Sequence, residues 1–551
     1  MKLKHFFLFV ILSLVLSLSV INCGGSAKTD YSPVEQKDPV ELDDTLTAMK
    51  LAKAMECGWN LGNTLDARTS WTAESKVFPY NEGLTSETVW GEVSTTKEII
   101  ETGINNGYKT IRIPVTWCNH LTDTNYTIDP AWMNRVKQIV NWAYDAGYYV
   151  ILNEHHSVHD DMNSPLKKCE GYIVATESAA ESKAFLKAIW TQICQNFNEE
   201  YDEHLIFEVM NEPRDTAHDD CWDTKPDSCA ICKADVKLLN EYNQLILDTI
   251  RASGGNNAER FVMIPPNATG INEALKEGFT LPTDTAKDKL IVTVHMYPLD
   301  SGGTGEGSRH FNDLARNEIK YNTNTLYKKF VKNGIPVVIG EFGAARDAKD
   351  SDGNDIESYI VTKQDRLDCF SYFAEQAGKY SMPFINWDCG GQNGMATINR
   401  SSCSLYESDY VAAIIKSWQD ANKDAENGIV LDETEEVSFD SFTVWDNTIS
   451  SFDKTTGLLT LGEQWTGANI WFGKKDISDF KTVELTYKNA SEEFQFYVSY
   501  ADDTESTKVA LPANSTKGTI TLDSTKKLKM IFFQSKTDTL TVTLEKVILK
   551  P

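Results

Sequence analysis

The stretch Leu205-Ile-Phe-Glu-Val-Met-Asn-Glu-Pro213 decides the fold, because it is an apolar run that stops abruptly on Asn211-Glu212. Such a run is typical of a buried strand. A carboxylate at its end is costly unless water or a partner solvates the charge or its pKa rises, and a raised pKa is what a general acid needs near neutral pH. The run Ile335-Pro-Val-Val-Ile-Gly-Glu-Phe-Gly343 has the same form and carries Glu341 near its end. The sequence therefore offers two carboxylates for paired chemistry.

Strands and helices alternate on both sides of that stretch. Eight short apolar strands are predicted between residues 45 and 420, centred on Trp59, Ile111, Val150, Ile206, Val262, Val292, Val338 and Phe384. Eight such strands with helices between them predict an α/β fold, the (β/α)8 or TIM barrel. A doubly wound open sheet is the competing layout. The barrel is favoured because polar and aromatic residues gather at the C-terminal ends of most strands, where barrels carry their sites.

The N-terminus has the order of a secretory signal. Lys2 and Lys4 precede an apolar run over residues 6–21, and Cys23 follows. Residues 1–23 therefore predict a signal peptide, and Cys23 resembles the lipidated cysteine of bacterial lipoproteins, although Asn22 stands where a small residue is usual. Residues 24–44 predict a flexible tether. We expect a secreted or lipid-anchored extracellular protein with no transmembrane helix after processing.

The composition changes after the predicted barrel. Residues 421–436 are rich in Asp and Glu without periodicity and predict an acidic linker. Residues 437–551 carry Thr, Val, Phe, Tyr and Trp in short alternating runs separated by turns. That pattern predicts a C-terminal all-β sandwich domain.

Net charge bounds the partners. The 551-residue chain has a formal charge of −27, which argues against nucleic acid and anionic membrane surfaces, because a phosphate backbone is held by clusters of Lys and Arg. A neutral or cationic partner fits better. We expect a monomer.

The cysteines leave alternatives open. Eleven cysteines less Cys23 leave ten, and Cys221, Cys229 and Cys232 crowd one loop. In an exported protein they are loop-stapling disulfides, with Cys169 as a further partner, or free thiols. A zinc clip is the other interpretation, although a single Cys-x-x-Cys pair is weak evidence for zinc.

The predicted strand ends carry the candidate site. They supply two carboxylates, a guanidinium, imidazoles, a phenol, amides and an indole: Asn63, Arg112, His155, His156, Asn211, Glu212, His295, Tyr297, Glu341 and Trp387. Such a set suits glycoside chemistry, with carboxylates at the anomeric carbon and a flat aromatic face for a pyranose. Asn63 and His120 are weaker candidates for the surrounding groove. No metal or cofactor is predicted, because adjacent strand residues such as His155 and His156 point to opposite faces.

Seven ordered motifs resemble glycoside hydrolase family 5: Gly-Trp-Asn-Leu-Gly-Asn (58–63), Thr-Ile-Arg-Ile-Pro-Val-Thr-Trp (110–117), Leu-Asn-Glu-His-His (152–156), Phe-Glu-Val-Met-Asn-Glu-Pro (207–213), His-Met-Tyr (295–297), Ile-Gly-Glu-Phe-Gly (339–343) and Asn-Trp-Asp (386–388). Val-Trp-Gly-Glu (89–92) and Thr-Thr-Lys-Glu (95–98) are similar to the bacterial endoglucanases of subfamily 4 in particular. The resemblance covers about residues 45–420.

The resemblance implies a role for each residue. Glu212 resembles the acid/base and Glu341 the nucleophile, so the reaction would retain the anomeric configuration, with the carboxyl groups about 5–5.5 Å apart. Arg112 and Tyr297 would keep Glu341 ionised and oriented, which leaves the other Glu free to hold a proton. Four further residues would bind the sugar or orient the acid/base: Asn211 at the 2-hydroxyl, His155 and His295 at hydroxyls or Glu212, and Trp387 beneath the ring. His156 is either a sugar ligand or a supporting histidine.

The sequence therefore predicts a secreted, retaining endo-β-1,4-glucanase with a β-glucan as its substrate. Alternatives are a hydrolase of xyloglucan, mixed-linkage glucan, mannan or xylan, with the choice made by loops 68–82 and 300–310, and a non-catalytic glycan-binding surface protein. By association with the barrel, the sandwich is a candidate carbohydrate-binding module. Four of its aromatic residues form either a sugar-stacking face or part of its core: Trp445, Trp465, Trp471 and Tyr500.

Overall fold

The computed structural model describes residue 34 and residues 37–69, 77–159, 166–299, 310–344, 362–391, 395–426, 434–437, 439, 441–477, 480–537 and 539–550. The predicted signal peptide with Cys23, most of the predicted tether, residues 70–76 of the loop 68–82 and residues 300–309 of the loop 300–310 lie outside these residues. The chain forms two compact units, which divide after Asn427. Within the part of the chain that is described, no helix has the length and apolar character needed to cross a bilayer.

Eight parallel strands close into a barrel in chain order. They are β1 (Cys57–Asn60), β2 (Thr110–Ile113), β3 (Tyr149–Asn153), β4 (Leu205–Glu208), β5 (Val262–Ile264), β6 (Leu290–His295), β7 (Val337–Phe342) and β8 (Phe384–Asn386). The last strand pairs with the first, with Cys57 opposite Phe384. The predicted barrel is confirmed, and every predicted strand centre lies within its strand.

Helices lie between the strands and at the two ends of the barrel unit. Those of the described residues are α1 (Ala48–Met55), α2 (Lys97–Asn105), α3 (Pro130–Asp145), α4 (Ala179–Asn196), α5 (Ala230–Ala252), α6 (Ile271–Leu275), α7 (Asp313–Lys329), α8 (Lys363–Lys379) and α9 (Ser408–Glu426). A two-stranded hairpin of β9 (Ile398–Asn399) and β10 (Ser404–Leu405) precedes α9. Helix α9 continues six residues past the predicted start of the linker, because Ala421 and Asn422 are buried and Asn422 Nδ2 donates to the carbonyl of Gly378 at 3.1 Å.

The barrel interior has an apolar layer and a polar layer. The apolar layer is fully buried, and α1 packs against it from below: Ile151, Ile206, Met263, Ile291, Val338 and Ile385. Since side chains alternate along a strand, the next inward positions lie two residues further on, and there the chain places buried polar groups: Asn60, Arg112, Asn153, Glu208 and Thr293. The polar layer lies nearer the C-terminal ends of the strands than the apolar layer does, so the candidate site is at the C-terminal face of the barrel.

The C-terminal unit consists of antiparallel strands, as predicted. They are β11 (Glu435–Glu436), β12 (Phe442–Val444), β13 (Ser451–Asp453), β14 (Leu458–Leu461), β15 (Gly467–Asp476), β16 (Thr482–Lys488), β17 (Phe494–Tyr500), β18 (Val509–Leu511), β19 (Lys517–Thr521), β20 (Lys527–Ser535) and β21 (Leu540–Lys550). One sheet has the order β13-β14-β21-β16-β19, with β11 added along β21, and the other has the order β12-β15-β20-β17-β18. Inward residues of both sheets share one core. Tyr500 belongs to this core, whereas Trp445, Trp465 and Trp471 are 45–55% exposed.

Candidate active site

Arg112 is the centre of the polar layer. Its guanidinium donates from Nε to Glu208 at 2.7 Å, from Nη1 to Glu341 at 2.6 Å and to Asn60 at 3.0 Å, and from Nη2 to Asn211 at 2.6 Å. Burial opposes the charge, but the carboxylates of Glu208 and Glu341 outweigh it and raise the pKa of Arg112. The predicted placement of Arg112 beside Glu341 is therefore observed, and the guanidinium stays charged in a fully buried position.

Glu208 is a site residue that the sequence analysis missed. It is fully buried in β4 and accepts from Thr293 Oγ1 at 2.9 Å and Asn153 Nδ2 at 2.9 Å, in addition to Arg112. A buried charge persists only when it is paired and hydrogen-bonded, and Glu208 meets both conditions. The signal was present in the sequence, since a Glu interrupts the apolar run of β4 four residues before Glu212.

Glu341 lies in β7 and is nearly buried, with 7% of its side chain exposed. Its Oε1 accepts from Arg112, and its Oε2 accepts from the Tyr297 hydroxyl at 2.7 Å. Burial and the neighbouring Glu341 raise the pKa of Tyr297 well above its ordinary value, so the phenol remains a donor. A register shift between β6 and β7 places His295 opposite Glu341. Two fixed donors therefore hold the carboxylate in one orientation.

Glu212 has different surroundings, with 23% of its side chain exposed. Its Oε1 lies 2.9 Å from His295 Nδ1, which also lies 3.5 Å from Glu341 Oε2. Burial acts to raise the pKa of Glu212, but the hydrogen bond with His295 and the nearby charge of Arg214 outweigh it, so that pKa lies below its ordinary value. Of the two alternatives for a carboxylate at the end of a strand, the first therefore applies to Glu212: partners stabilise its charge, and its pKa is not raised.

Arg214 is a second residue that the sequence analysis missed. Its Nη1 donates to the Glu212 carbonyl at 2.8 Å and lies 3.9 Å from Glu212 Oε2. The guanidinium lies 4.0 Å from the ring centroid of Trp222, which is 56% exposed. Nothing in the sequence marks Arg214, because its contact depends on how the chain turns after β4.

Asn211 is buried beside Arg112 and Glu212. Its Oδ1 accepts from Arg112, and its carbonyl accepts from Thr269 Oγ1. Since the amide oxygen is taken by the guanidinium, the Asn211 Nδ2 group is the part of the side chain that a ligand oxygen can use.

His155 and Trp387 form a parallel aromatic pair. Their ring centroids are 5.6 Å apart and their planes differ by 3°. Burial, together with the charges of His156 and Arg112, holds the pKa of His155 well below its usual range, so the imidazole is neutral. Gly62 provides space for the indole, because a Cβ there would lie 2.8 Å from Trp387 Cη2. A flat aromatic wall thus stands at the same end of the barrel as the two carboxylates.

The remaining candidates lie at the edge of the site or away from it. His156 is partly exposed, with Nε2 3.9 Å from Asp66 Oδ2, and burial raises the pKa of that carboxyl to about 6. Asn63 follows β1 with φ 56°, and its backbone N–H donates to Asp66 Oδ2 at 3.1 Å. The groove assignment of His120 is wrong, because its ring is fully buried and stacks on Trp132 of α3 at 3.6 Å.

The ten cysteines within the described residues are free thiols. Of the alternatives that the sequence left open, the structure therefore shows free thiols rather than loop-stapling disulfides among the described residues, and Cys169 donates to the carbonyl of Asp123. Cys229 and Cys232 approach His218, with Cys229 Sγ 3.5 Å from His218 Nε2. His218, Cys229 and Cys232 offer metal-ligand atoms within 4.8 Å of one another. In the part of the chain that the structure describes, Cys221 does not belong to this group.

A closed parallel barrel with two carboxylates, a buried arginine and an aromatic wall at its C-terminal face defines the class as a glycoside hydrolase of the barrel type. Comparison with known proteins agrees. The family profile described as cellulase, glycosyl hydrolase family 5, matches residues 70–393. The chain belongs to this family.

Similar proteins come from several organisms. The chain is 35% identical to endoglucanase B of Ruminococcus albus over 70% of this chain and 84% of that protein, and 35% identical to endoglucanase B of Neocallimastix patriciarum over 67% and 72%. A GH5-4 broad specificity endoglucanase from Ruminococcus champanellensis with bound cellotriose superposes with a TM-score of 0.57 at 33% identity, over 68% of this chain and all of that one. A GH5 family lichenase from a Caldicellulosiruptor species gives a TM-score of 0.58 at 32% identity, over 70% and 99%.

Proposed function

We propose that the protein is a retaining endo-β-1,4-glucanase. The observation that carries the proposal is the shared imidazole of His295, which lies 2.9 Å from Glu212 and 3.5 Å from Glu341. Carboxylate oxygens of the two residues lie within 4.8 Å of each other. Retaining glycosidases hold their carboxyl groups about 5–5.5 Å apart, whereas inverting enzymes need roughly 6.5–9.5 Å to admit a water. The short separation supports double displacement.

Glu341 acts as the nucleophile in this mechanism. Arg112 and the Tyr297 hydroxyl occupy one lone pair on each of its oxygens, which fixes the carboxylate for attack on the anomeric carbon. Attack forms a glycosyl ester on Glu341 and breaks the bond to the leaving oxygen. Water then hydrolyses the ester and restores the carboxylate.

Glu212 acts as the general acid and then the general base. It must be protonated when the leaving oxygen departs, although His295 and Arg214 lower its pKa. Bound sugar excludes water from the exposed part of this carboxyl, and desolvation raises a carboxyl pKa. Once Glu341 is esterified its negative charge is gone, which favours the ionised form of Glu212 and lets it deprotonate the incoming water.

The sugar in the cleaved-bond subsite lies against Trp387. An indole stacks on the apolar face of a pyranose. Beside it, the neutral imidazole of His155 accepts from Asn153 Nδ2 through its Nδ1 at 3.1 Å and offers its Nε2 to the sugar. The Asn211 amide donates to the 2-hydroxyl, a contact that strengthens in the transition state of glycosidases. His295 orients Glu212 through its Nδ1.

The names of the similar proteins support an internal cut in a β-1,4-linked glucan. They are endoglucanases, one of them named as broad in specificity. The lichenase favours mixed-linkage glucan as a second substrate. We also infer export of the protein, with Cys23 as a lipid anchor, from the residues of the N-terminal segment.

The test is release of reducing sugar from a panel of soluble polysaccharides: carboxymethylcellulose, mixed-linkage glucan, xyloglucan, glucomannan and xylan. We expect strong release from the β-1,4-glucans, with products that first appear as the β-anomer by NMR. Glu341→Gln should remove the activity, and Glu98→Gln, the same change at an exposed position of α2, should not. No release from any glycan by the folded protein would overturn the proposal, and first products as the α-anomer would overturn retention.

A further inference from the structure

The sheet β12-β15-β20-β17-β18 of the C-terminal unit has one face outside the core. Ala468, Ile470 and Phe533 point into the core and are fully buried. Since side chains alternate along a strand, their neighbours Asn469 and Trp471 point to the opposite face. Trp445 follows β12 and joins that face, because it pairs with Gly467, with its amide 2.9 Å from the Gly467 carbonyl. We call this face the outer face.

Two exposed indoles lie on the outer face. Trp445 is 45% exposed and Trp471 is 51% exposed. The Trp445 ring is fixed flat against the sheet over Gly467, where a Cβ would come within 2.8 Å of its six-membered ring. Its Nε1 donates to Asn469 Oδ1 at 2.9 Å, and Phe532 packs edge-on at 5.9 Å. The indole is therefore held in place by its neighbours while 45% of the residue stays exposed, so little side-chain entropy is lost when a ligand stacks on it.

The outer face also carries polar atoms without partners. Ser499 is 6% exposed and pairs with Met530, which also pairs with Trp471. Within the described residues, the buried Ser499 Oγ and Gln495 Oε1 have no hydrogen-bond partner. A buried polar atom without a partner costs about 1–3 kcal/mol. A ligand rich in hydroxyl groups would supply the missing hydrogen bonds.

The spacing of the two indoles selects the size of the ligand. Trp445 pairs with Gly467, and Trp471 lies four residues further along β15. At about 3.4 Å per residue and about 4.8 Å between strands, the Cα atoms of Trp445 and Trp471 are roughly 14 Å apart. That separation is too long for a single sugar and suits a chain of pyranose rings. Two lysines that lie over aromatic rings of this sheet are each paired with a carboxylate, Lys529 with Asp503 and Lys508 with Glu505, so they give a polyanion no uncompensated cationic patch and a neutral polysaccharide fits better.

We propose that the outer face, defined by Trp445, Trp471, Asn469, Gln495 and Ser499, is a second glycan-binding site that holds a β-1,4-linked glucan chain. The two indoles stack on ring faces, and the amide and hydroxyl groups contact sugar hydroxyls. The choice of a glucan rests on the function proposed for the barrel, whereas the existence of a polysaccharide site rests on the outer face alone. The site anchors polymer and leaves catalysis to the barrel.

The test is affinity electrophoresis of the full chain in native gels that contain soluble β-glucan, with Glu341→Gln in every protein so that the polymer stays intact. We expect the affinity of the double variant Trp445→Ala/Trp471→Ala for the polymer to fall by about tenfold or by a larger factor, since aromatic anchors dominate such surfaces. Tyr321→Ala removes another exposed aromatic side chain, on α7, and should migrate like the parent. Equal retardation of the double variant and the parent would overturn the proposal.

Two further measurements separate the failures. Trp445→Phe/Trp471→Phe keeps two flat rings, so it should recover part of the retardation, with an unchanged unfolding temperature. Stacking would be contradicted if the alanine variant bound the polymer fully. It would also be contradicted if the phenylalanine variant folded but did not bind. In the protein with Glu341 intact, the alanine pair should leave cleavage of soluble cello-oligosaccharides unchanged. If no glucan is cleaved, the barrel proposal fails while the gel still reports on the outer face. If the alanine pair lowers retardation in gels of another polysaccharide but not in gels of β-1,4-glucan, the outer face binds a glycan other than glucan, and the choice of glucan is overturned.

Discussion

The surroundings of Glu341 and of Glu212 differ, although both residues lie at the C-terminal ends of barrel strands. Glu341 has 7% of its side chain exposed and two fixed donors, Arg112 and Tyr297. Glu212 has 23% exposed, one imidazole contact and a guanidinium at 3.9 Å. In the proposed mechanism the same side chain therefore serves as a fixed nucleophile in one place and as an exchangeable proton carrier in the other, and the neighbours make the difference.

Removing the charge of Glu341 should have the largest effect. Glu341→Gln keeps the shape of the side chain but leaves only one oxygen to accept from Arg112 or Tyr297. It removes the proposed nucleophile, so kcat should fall by about 10⁴-fold or more. Initial rates on soluble glucan measure the loss, with Glu98→Gln as the matched control. Near-parent turnover by Glu341→Gln would exclude that residue as the nucleophile.

Glu212→Gln should show an effect that depends on the leaving group. On polysaccharide the loss of acid catalysis should lower the rate by about 10²–10⁴-fold. On an aryl cellobioside with an acidic phenol, the first step needs no proton, so glycosyl-enzyme should accumulate in a burst. An equal loss on both substrates would contradict the assignment of Glu212 as the acid.

Glu208→Gln tests the support beneath Glu341. The change leaves the buried Arg112 with one carboxylate partner fewer, and breaking a buried ion pair destabilises a protein by about 3–5 kcal/mol. Loosening the guanidinium should also reduce kcat by roughly 10²-fold, as displaced catalytic groups do. Denaturant unfolding and kcat measure the two effects. A variant that loses stability with full kcat would show that Glu208 supports only the fold.

The smallest effect is a displacement of the pH profile. The hydrogen bond from His295 lowers the pKa of Glu212, and the proposed mechanism needs Glu212 protonated in the first step. His295→Ala should therefore raise that pKa and move the basic limb of kcat/KM to higher pH, with a lower maximal rate. Arg214→Met should move the basic limb in the same direction and by less, because the charge of Arg214 lowers the pKa of Glu212 less than His295 does. An unmoved limb in both variants would contradict this origin of the shift.

The sequence predicted the barrel, its eight strands and the convergence of the two glutamates, because strand ends and short motifs are local patterns. Glu208 and Arg214 were missed, since their roles depend on which inward positions meet across the barrel and on the turn after β4. His120 was misplaced because an isolated histidine near a strand end does not reveal that it stacks on Trp132. The lowered pKa of Glu212 depends on a cross-strand contact with His295 that no motif encodes.

The most direct test of the central claim is covalent trapping with a 2-deoxy-2-fluoro cellobioside that bears a good leaving group. The fluorine slows both steps and the leaving group restores the first, so the glycosyl ester persists and peptide mass spectrometry locates it. We predict one label per chain, on the peptide that contains Glu341, and none in Glu341→Gln. A label on Glu212, or steady turnover of polysaccharide with no residue labelled, would contradict the account.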